Sequence, residues 1–229
     1  MKLVIVTRKR QSEPRRGYSD ACGTAHGLEL IGERWALLVL RELMLGARRF
    51  SQLRADLPGI SANVLTQRLI ELEERGLVVK RRLPPPANVQ VYEATEWGLE
   101  AEPIVQSLGR WAARSPKHDP TLPISGVSIL LSMRTMISTD CPKDLAAQLN
   151  FRFGEDRYTG HLRDGTIDIV RGQHPAPDLS IAADPPSNLA AVLYGKAPYE
   201  LIEWSGDRAL LDRVVGLYHL PPKAPVPAH

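Results

Sequence analysis

The sequence has only two cysteines among its 229 residues, Cys22 and Cys141. Since they stand 119 positions apart, they form neither a closely spaced metal-binding pair nor a redox motif. Reduced thiols are therefore expected. The apolar run at residues 3–6 is also too short for a signal peptide or a membrane span. We accordingly expect a cytoplasmic protein with no membrane partner.

The sequence also lacks the spacings that catalytic and cofactor sites require. Its six histidines show no metal-ligand spacing: His26, His118, His161, His174, His219 and His229. It contains neither a glycine-rich phosphate loop nor a nucleophile elbow. Asp164 and Asp168 lie at a predicted hairpin, where a role in the turn is the ordinary explanation. The sequence therefore predicts no enzyme activity, no cofactor and no metal site.

The net charge of +3 is small, but it is unevenly distributed along the chain. Residues 1–83 carry 16 Lys and Arg against 9 Asp and Glu, a surplus of +7. Residues 116–229 carry 11 against 13, a balance of −2. Because neutralising phosphates and releasing counterions drive association with DNA, the first part is expected to face a polyanion. The second part is expected to have a different partner.

Residues 59–76 predict a helix with a marked start and stop. Ser61 can accept a hydrogen bond from an early backbone N–H as the N-cap, and Gly76 supplies the left-handed residue that ends the helix. Helical periodicity gives this segment two faces. Leu65, Leu69 and Leu72 form an apolar stripe, whereas Asn63, Thr66, Gln67 and Ile70 lie on the other side. One face is expected to pack and the other to be exposed.

The exposed face of this helix is polar and uncharged at its N-terminal end. Amides and hydroxyls are the groups that hydrogen-bond base edges in the major groove of DNA. The candidate base-contact residues are Ser61, Asn63, Thr66 and Gln67. An ordinary amphipathic surface helix has the same pattern, and the pattern alone favours that interpretation. The neighbouring segments favour a helix that reads bases.

Residues 48–57 predict a short helix that Ser51 caps and that Pro58-Gly59 ends, so that a helix, a tight turn and a second helix follow one another. Downstream, residues 77–83 and 89–95 are β-branched runs joined by a proline-rich loop, which predicts a hairpin, or wing. The candidate contacts to the DNA backbone are Arg48, Arg49, Ser51, Arg54, Arg68, Lys80, Arg81 and Arg82.

This arrangement resembles the HxlR family of winged-helix transcription regulators, which are relatives of the MarR-type regulators. The resemblance covers about residues 20–115 and rests on Cys22, residues 28–32, Trp35, residues 40–43, Gly46, residues 49–53, 57–61, 65–69, 72–73 and 76–78, Tyr92, Thr95 and Gly98. It implies that the first and last helices of the domain pair with a partner subunit. A homodimer on a palindromic operator in double-stranded DNA is therefore expected.

The helices that would pair can be located in the sequence. Asp20 can cap a first helix that runs to about Leu30. Residues 103–112 predict the last helix, with Ile104, Leu108 and Trp111 on one stripe. Between them, residues 35–43 predict a second helix with Trp35 in the core.

Two features at the N-terminal end leave alternatives open. Residues 1–19 contain basic clusters without helical periodicity, which favours a solvated tail over an arm on the DNA backbone. Some relatives in the family that the chain resembles sense oxidants through a cysteine at the place of Cys22. A regulator that senses thiol oxidation through Cys22 is therefore an alternative to one that senses a ligand.

Three prolines within nine residues predict a linker at residues 116–123. The segments that follow predict an apolar helix at residues 124–138, a strand at 149–153, a hairpin that turns at Asp164-Gly165, a strand at 178–183, a helix that Asp184 caps and a final helix from Asp207. One sheet with helices on it resembles the sterol-carrier-protein-2 (SCP2) fold. The resemblance rests on Gly165, the 178–184 junction, Gly195 and the turn at residues 205–207.

The SCP2 resemblance implies an apolar tunnel and hence an effector pocket for an apolar small molecule. Its candidate lining is Leu130, Met133, Ile137, Phe151, Phe153, Leu193 and Trp204. Each of these residues can instead be an ordinary core residue, and the general pattern favours that interpretation.

The sequence thus predicts an α+β protein of two domains. A winged helix-turn-helix domain at residues 20–115 would bind DNA and dimerise, and an SCP2-like α+β domain at residues 124–229 would bind the effector. The predicted function is a transcription regulator, acting as a repressor. The alternatives are a lipid or sterol carrier with a basic interaction module, and a redox-sensing regulator that uses Cys22.

Overall fold

The structure is a computed structural model that describes residues 17–225. The N-terminal half, residues 17–115, contains α1 (Gly23–Ile31), α2 (Ala36–Leu43), α3 (Phe50–Asp56), α4 (Ala62–Glu74), β1 (Val78–Arg82), β2 (Gln90–Ala94), α5 (Glu96–Leu99) and α6 (Glu102–Ala113). The C-terminal half, residues 124–225, contains α7 (Gly126–Met136), β3 (Ala147–Phe153), β4 (Asp156–Arg163), β5 (Thr166–Arg171), β6 (Leu179–Ala182), α8 (Ser187–Gly195), β7 (Glu203–Gly206) and α9 (Arg208–Gly216). The mixed content confirms the predicted α+β class.

The core of the N-terminal half is formed where α2, α3 and α4 meet. Fully buried leucines supply it: Leu40, Leu53, Leu65, Leu69 and Leu72. Three of them form the predicted apolar stripe of α4. Beyond α4, β1 and β2 pair antiparallel from Val78 opposite Ala94 to Arg82 opposite Gln90. The predicted helix-turn-helix and wing are therefore both present.

The C-terminal half is built on a five-stranded sheet with the order β5-β4-β3-β6-β7. Only β3 and β6 pair in parallel; the other neighbours are antiparallel. Asp164 and Gly165 both have positive φ, at 52° and 74°, and form the tight turn from β4 to β5 that the sequence predicts. A Cβ on Gly126 would lie 2.6 Å from the Phe153 ring, so α7 rests directly on β3.

The two halves are joined by a buried cluster of ion pairs around Arg48. Arg48, only 3% exposed, donates to the carboxylates of Asp56 at the end of α3 and of Asp156 at the start of β4. Arg171 donates to Asp156 at 2.8 Å and to the Tyr158 hydroxyl at 3.2 Å. Burial alone would raise the pKa of Asp156, but the hydrogen bonds from Arg48 and Arg171 hold it below its ordinary value.

A second set of contacts joins the halves near α7. The Ser125 hydroxyl donates to buried Glu42 of α2 at 2.8 Å, and burial raises the pKa of that carboxyl despite the adjacent Arg41 guanidinium. Arg134 of α7 donates to Glu102 of α6 at 2.6 Å. Because the buried apolar residues of both halves also form one continuous cluster, the halves share a single core.

Three predicted helix starts are wrong. Ser51 lies in the first turn of α3, because Arg49 is the N-cap and its backbone N–H bonds to Gln52 at 2.9 Å. Cys22, not Asp20, is the N-cap of α1; Asp20 accepts a hydrogen bond from the Cys22 backbone instead. The helix after β6 begins at Ser187, not at Asp184.

The late start of α8 follows from its two prolines. A residue before proline is disfavoured in helical conformation, and this applies to Asp184 and again to Pro185. Pro186 is therefore the N-cap. By contrast, Asp207 caps α9 as predicted, accepting from the Ala209 backbone at 2.9 Å.

Replacing Asp156 by Asn tests the Arg48 cluster. Because Arg48 loses one of its two carboxylates, we expect the free energy of unfolding at pH 7 to fall by about 1–3 kcal/mol. The folded-state pKa of Asp156 is lowered, so its contribution is present above the unfolded-state pKa of about 4 and is lost as pH falls through the folded-state value. In urea unfolding, the difference between parent and variant should therefore shrink toward about pH 3.

Asp168→Asn is the matched control, since Asp168 also pairs with an arginine, at 3.3 Å from Arg134, but is largely exposed. It should change the free energy of unfolding by less than about 1 kcal/mol. An Asp156→Asn variant that is as stable as the parent at pH 7 would contradict the role assigned to the cluster.

Candidate nucleic-acid interface

The start and end of α4 are fixed locally, as the sequence predicts. The Ser61 hydroxyl accepts a hydrogen bond from the Val64 backbone N–H at 3.3 Å, which caps the helix. Gly76, at φ +73°, follows the last turn in the left-handed conformation. The helix is therefore held at both ends by local backbone and side-chain geometry.

The polar face of α4 is open to solvent. Asn63, Thr66 and Gln67 are all exposed, and the C-terminal half of the chain does not cover them. The Thr66 hydroxyl donates to the Ala62 carbonyl at 2.9 Å, and the Gln67 amide donates to Glu71 at 2.9 Å. The Gln67 hydrogen bond uses one donor of its amide group and leaves its oxygen for other partners.

Two exposed apolar residues extend this face. Ile70 lies on it as expected, but sequence reasoning missed Val64, which sits one residue after Asn63 in the first turn of α4. The spacing of Val64 from the leucine stripe was the available signal, because it lies one position before Leu65 rather than three or four. The face therefore combines hydrogen-bonding groups with small apolar surfaces.

Six of the eight predicted backbone-contact residues are exposed: Arg49, Ser51, Arg54, Lys80, Arg81 and Arg82. The first three belong to the start and middle of α3, and the other three to β1 of the wing. Arg81 pairs with Glu93 on β2 at 3.0 Å, and Arg82 donates to the Asn88 side chain in the wing loop at 2.9 Å. These contacts orient the wing arginines without burying them.

The other two predicted backbone contacts are wrong, because both arginines face the interior. Arg48 is buried in the cluster that joins the two halves. Arg68 lies three residues after Leu65 and four before Leu72, which puts it beside the buried stripe of α4. There it pairs with Glu71 at 2.7 Å and with Glu33 at 3.2 Å. Both guanidinium groups therefore pair with carboxylates of this chain.

An apolar stripe on α6 is uncovered in the single chain. Ile104, Leu108 and Trp111 are 51%, 46% and 71% exposed, and they occupy one side of the helix as predicted. Leu28 of α1 is exposed as well. Large apolar side chains grouped in this way mark a surface that associates with another apolar surface.

The predicted effector-pocket residues do not line a common cavity. Leu130, Met133, Phe153 and Leu193 are packed core residues, and Ile137 pairs with Tyr218 through a backbone bridge. Phe151 and Trp204 contribute to a depression of about 310 Å³ with a mixed polar and apolar lining, which also includes Arg152 and Arg157. Core and pocket residues follow the same apolar periodicity, so the sequence pattern does not separate the two roles. An apolar cavity of about 430 Å³ lies elsewhere, between the two halves.

Cys22 is exposed at the N-cap of α1, whereas Cys141 is buried. Hydrogen bonds from the backbone and side chain of Thr24 lower the pKa of the Cys22 thiol. Burial raises the pKa of the Cys141 thiol. The basic clusters of the predicted arm, including Arg15 and Arg16, lie outside the described residues.

No helix within residues 17–225 is long and apolar enough to cross a membrane. Within the same range, no three His, Cys, Asp or Glu side chains are grouped closely enough to hold a metal ion.

Sequence comparisons with known proteins match the N-terminal half of the chain. The sequence model of the HxlR-like helix-turn-helix family matches residues 30–119. YvaP of Bacillus subtilis (strain 168), an uncharacterized HTH-type transcriptional regulator, is 38% identical over 86 residues, which are 37% of this chain and 79% of YvaP. YodB, an HTH-type transcriptional regulator of the same organism, is 35% identical over 83 residues, which are 36% of this chain and 74% of YodB. The solved structure of reduced YodB has 30% sequence identity to this chain. The match covers 44% of this chain and 100% of the YodB chain, with a TM-score of 0.39.

The relatives are named as transcriptional regulators, which are not enzymes. The helix-turn-helix, the wing and this extent of identity together show that the chain belongs to the HxlR-like helix-turn-helix family of DNA-binding transcriptional regulators.

Proposed function

We propose that the protein is a homodimeric repressor that reads a palindromic operator with α4 and responds to an apolar small molecule. The observation that carries the proposal is the uncovered polar face at the N-terminal end of α4, within a helix-turn-helix. Neighbouring exposed arginines and Lys80 supply positive charge for the DNA backbone. The net surplus of +7 in residues 1–83 supports the same orientation toward DNA.

Base reading is assigned to the exposed residues of α4. The side chains of Asn63 and Gln67 can pair with an adenine edge in the major groove, and Ser61 and Thr66 can hydrogen-bond to several bases. Val64 is exposed beside them and can make an apolar contact with a thymine methyl group. Phosphate contacts are assigned to Arg49, Ser51, Arg54, Lys80, Arg81 and Arg82. Arg48 and Arg68 are left out because their ion pairs are internal.

Dimerisation is assigned to α6 together with α1. The exposed stripe of α6 and exposed Leu28 support it, and the family resemblance implies pairing through the same two helices. An interface with two-fold symmetry brings the same patch of each subunit together. Two copies of α4 would then enter successive major grooves, about 34–36 Å apart along the DNA.

The C-terminal half is assigned the role of an SCP2-like effector-binding domain, with residues 116–123 as the linker and the domain beginning near residue 124. Its single sheet with α7, α8 and α9 supports the SCP2 resemblance. An effector changes DNA affinity only if it binds one arrangement of the dimer more tightly than another. Because the two halves share one core, an effector bound to the C-terminal half would act on the packing of α6 and α2.

Thiol sensing through Cys22 is a second candidate. The exposed thiol at the start of α1, with its lowered pKa, favours it. A structure of the relative YodB is described as quinone-bound, which supports a search for electrophile chemistry in this chain. Because α1 is assigned to the dimer, modification of Cys22 would act on the same interface.

Two substitutions separate base reading from phosphate contact. Gln67→Ala should relax preference at one position of each half-site, a loss of about 1–3 kcal/mol of discrimination. Arg54→Ala should weaken binding to all sequences alike and lower the slope of log affinity against log salt by about one. Mobility-shift titrations at two salt concentrations, on the DNA upstream of the protein's own gene and on a scrambled duplex, measure both effects.

Arg163→Ala is the control, since Arg163 is exposed on β4 of the C-terminal half and should change neither quantity. If Gln67→Ala keeps the preference of the parent, base reading by Gln67 is wrong. If the parent itself shows no preference between the two duplexes, the operator-reading function is wrong.

Trp111→Glu places a charge in the apolar stripe of α6. We expect native mass spectrometry to show a monomer and operator affinity to fall at least tenfold, because the two half-sites no longer act together. Leu201→Glu makes the same chemical change at an exposed leucine away from α6 and should leave both properties unchanged. If Trp111→Glu remains a dimer, the assignment of α6 to the dimer interface is wrong.

Cys22→Ser tests the second candidate. If the thiol is the sensor, a quinone or peroxide should change operator affinity severalfold in the parent and have no effect on the variant. Identical responses of the two proteins would eliminate sensing through Cys22.

A further inference from the structure

An apolar cavity of about 430 Å³ lies between the N-terminal and C-terminal halves. Its walls come from α2, α6, α7 and α8 and from the segment around residues 118–124. The apolar lining includes Leu38, Leu108, Leu131, Met136 and Ala190. The volume falls in the range of roughly 300–1,000 Å³ that small-molecule sites have.

A pair of hydroxyl groups lines one wall of this cavity. The Ser132 hydroxyl on α7 and the Tyr194 hydroxyl on α8 lie 2.7 Å apart and share one hydrogen bond. Once one hydroxyl donates to the other, the pair retains a second O–H and unused lone pairs. Burial raises the pKa of Tyr194 to about 12, so its phenol keeps its proton at neutral pH. The pair can therefore donate to, or accept from, one oxygen-bearing group of a ligand.

Besides Tyr194, the ionisable side chains that line the cavity are Arg41, His118 and Asp119, and the charged groups of Arg41 and Asp119 are both engaged by neighbouring residues, which favours a neutral ligand. Arg41 lines the wall, but its guanidinium pairs at 2.6 Å with the buried carboxylate of Glu42. Asp119 lines the rim, and its carboxylate accepts hydrogen bonds from the backbone and hydroxyl of Thr121. An ionised ligand would have to lose its hydration against a mainly apolar wall without a free countercharge from Arg41.

We propose that this cavity binds a neutral, apolar small molecule whose single hydroxyl or carbonyl oxygen hydrogen-bonds to the Ser132–Tyr194 pair. The proposal rests on the regulator function given above and moves the effector site from the interior of the C-terminal half to the junction of the halves. Ligand binding there involves side chains of both halves at once.

The position of the cavity links it to the DNA-binding half. Val105 and Ala112 of α6 face the cavity, Ile104 and Trp111 of the same helix belong to the exposed stripe assigned to the dimer, and Leu108 borders both. Leu37 and Leu38 of α2 also line the cavity, and α2 packs on α4. A ligand that is accommodated better at one spacing of α6 and α7 would therefore favour one arrangement of the two reading helices.

Nile red, a neutral apolar dye with one carbonyl oxygen, is a suitable probe. We expect the full chain to bind it saturably, with one dye per chain and increased fluorescence. Ala112→Phe fills the cavity from α6 and should weaken dye binding at least tenfold. Tyr194→Phe removes one oxygen atom and should weaken it on the order of fivefold, the effect of one neutral hydrogen bond. The second variant keeps the test decisive if Ala112→Phe does not fold.

Two control variants separate this cavity from other apolar surfaces. Ala191→Phe makes the same enlargement on α8 at a half-buried position outside the cavity lining and should bind the dye as the parent does. Trp111→Glu should also bind it normally. If Ala112→Phe and Tyr194→Phe bind as tightly as the parent, or if Trp111→Glu abolishes binding, the dye sits elsewhere and the assignment is wrong.

DNA titrations with and without the dye test whether binding in the cavity changes operator affinity. Saturating dye should change operator affinity of the parent at least threefold and have no effect on Ala112→Phe. An unchanged affinity of the dye-bound parent would overturn the coupling. A parent that binds the dye but no DNA would refute the proposed function while leaving the cavity assignment intact, so the two failures are distinguishable.

Discussion

The buried guanidinium of Arg48 is the interaction on which the arrangement of the two halves depends. A charge so far removed from solvent is tolerated only with charged partners and good hydrogen bonds. Its partners come from both sides: Asp56 ends α3, and Asp156 begins β4. Separation of the halves would leave Arg48 with one carboxylate and Asp156 with Arg171 alone. The sheet is thereby fixed against the helix-turn-helix.

The same interaction affects what the DNA-binding half can present. Because Arg48 is turned inward and holds the end of α3 through Asp56, the neighbouring Arg49 and the later Arg54 remain on the exposed side. The turn that follows α3 leads directly into Ser61 and α4. The orientation of α4 is therefore linked, through a few residues, to a contact with the C-terminal half. This link gives a physical basis for the proposed effector, which would act on DNA affinity from outside the N-terminal half.

Local features of the sequence predicted the elements well where short-range chemistry decides them. Ser61 and Asp207 cap helices, Gly76 ends one, and the leucine stripe of α4 identifies its packed face. The predictions that failed concern residues whose partners are distant in the sequence. Nothing near Arg48 in the sequence identifies Asp156 as its partner, because 108 residues separate them. The Arg68–Glu71 ion pair could have been predicted from the sequence, since both residues lie beside the leucine stripe on the same helical face.

The proposed effector site also depends on contacts between residues that are distant in the sequence. A buried helix such as α7 and a helix over a cavity have similar apolar patterns, so sequence reasoning could not separate these two roles for Leu130 and Met133, which are fully buried. The cavity between the halves depends on how α6 and α7 approach each other, which no local pattern encodes. Its hydroxyl pair, Ser132 and Tyr194, is 62 residues apart in the chain.

Hydroxyl-radical footprinting of the full chain on the DNA upstream of its own gene tests the central claim most directly. If two copies of α4 read one operator, two segments separated by about one helical turn should be protected on the same face of the duplex. The triple variant in which Asn63, Thr66 and Gln67 are all Ala should lose this pattern and retain only weak, sequence-independent protection. Protection of discrete segments that persists unchanged in the triple variant would contradict the account.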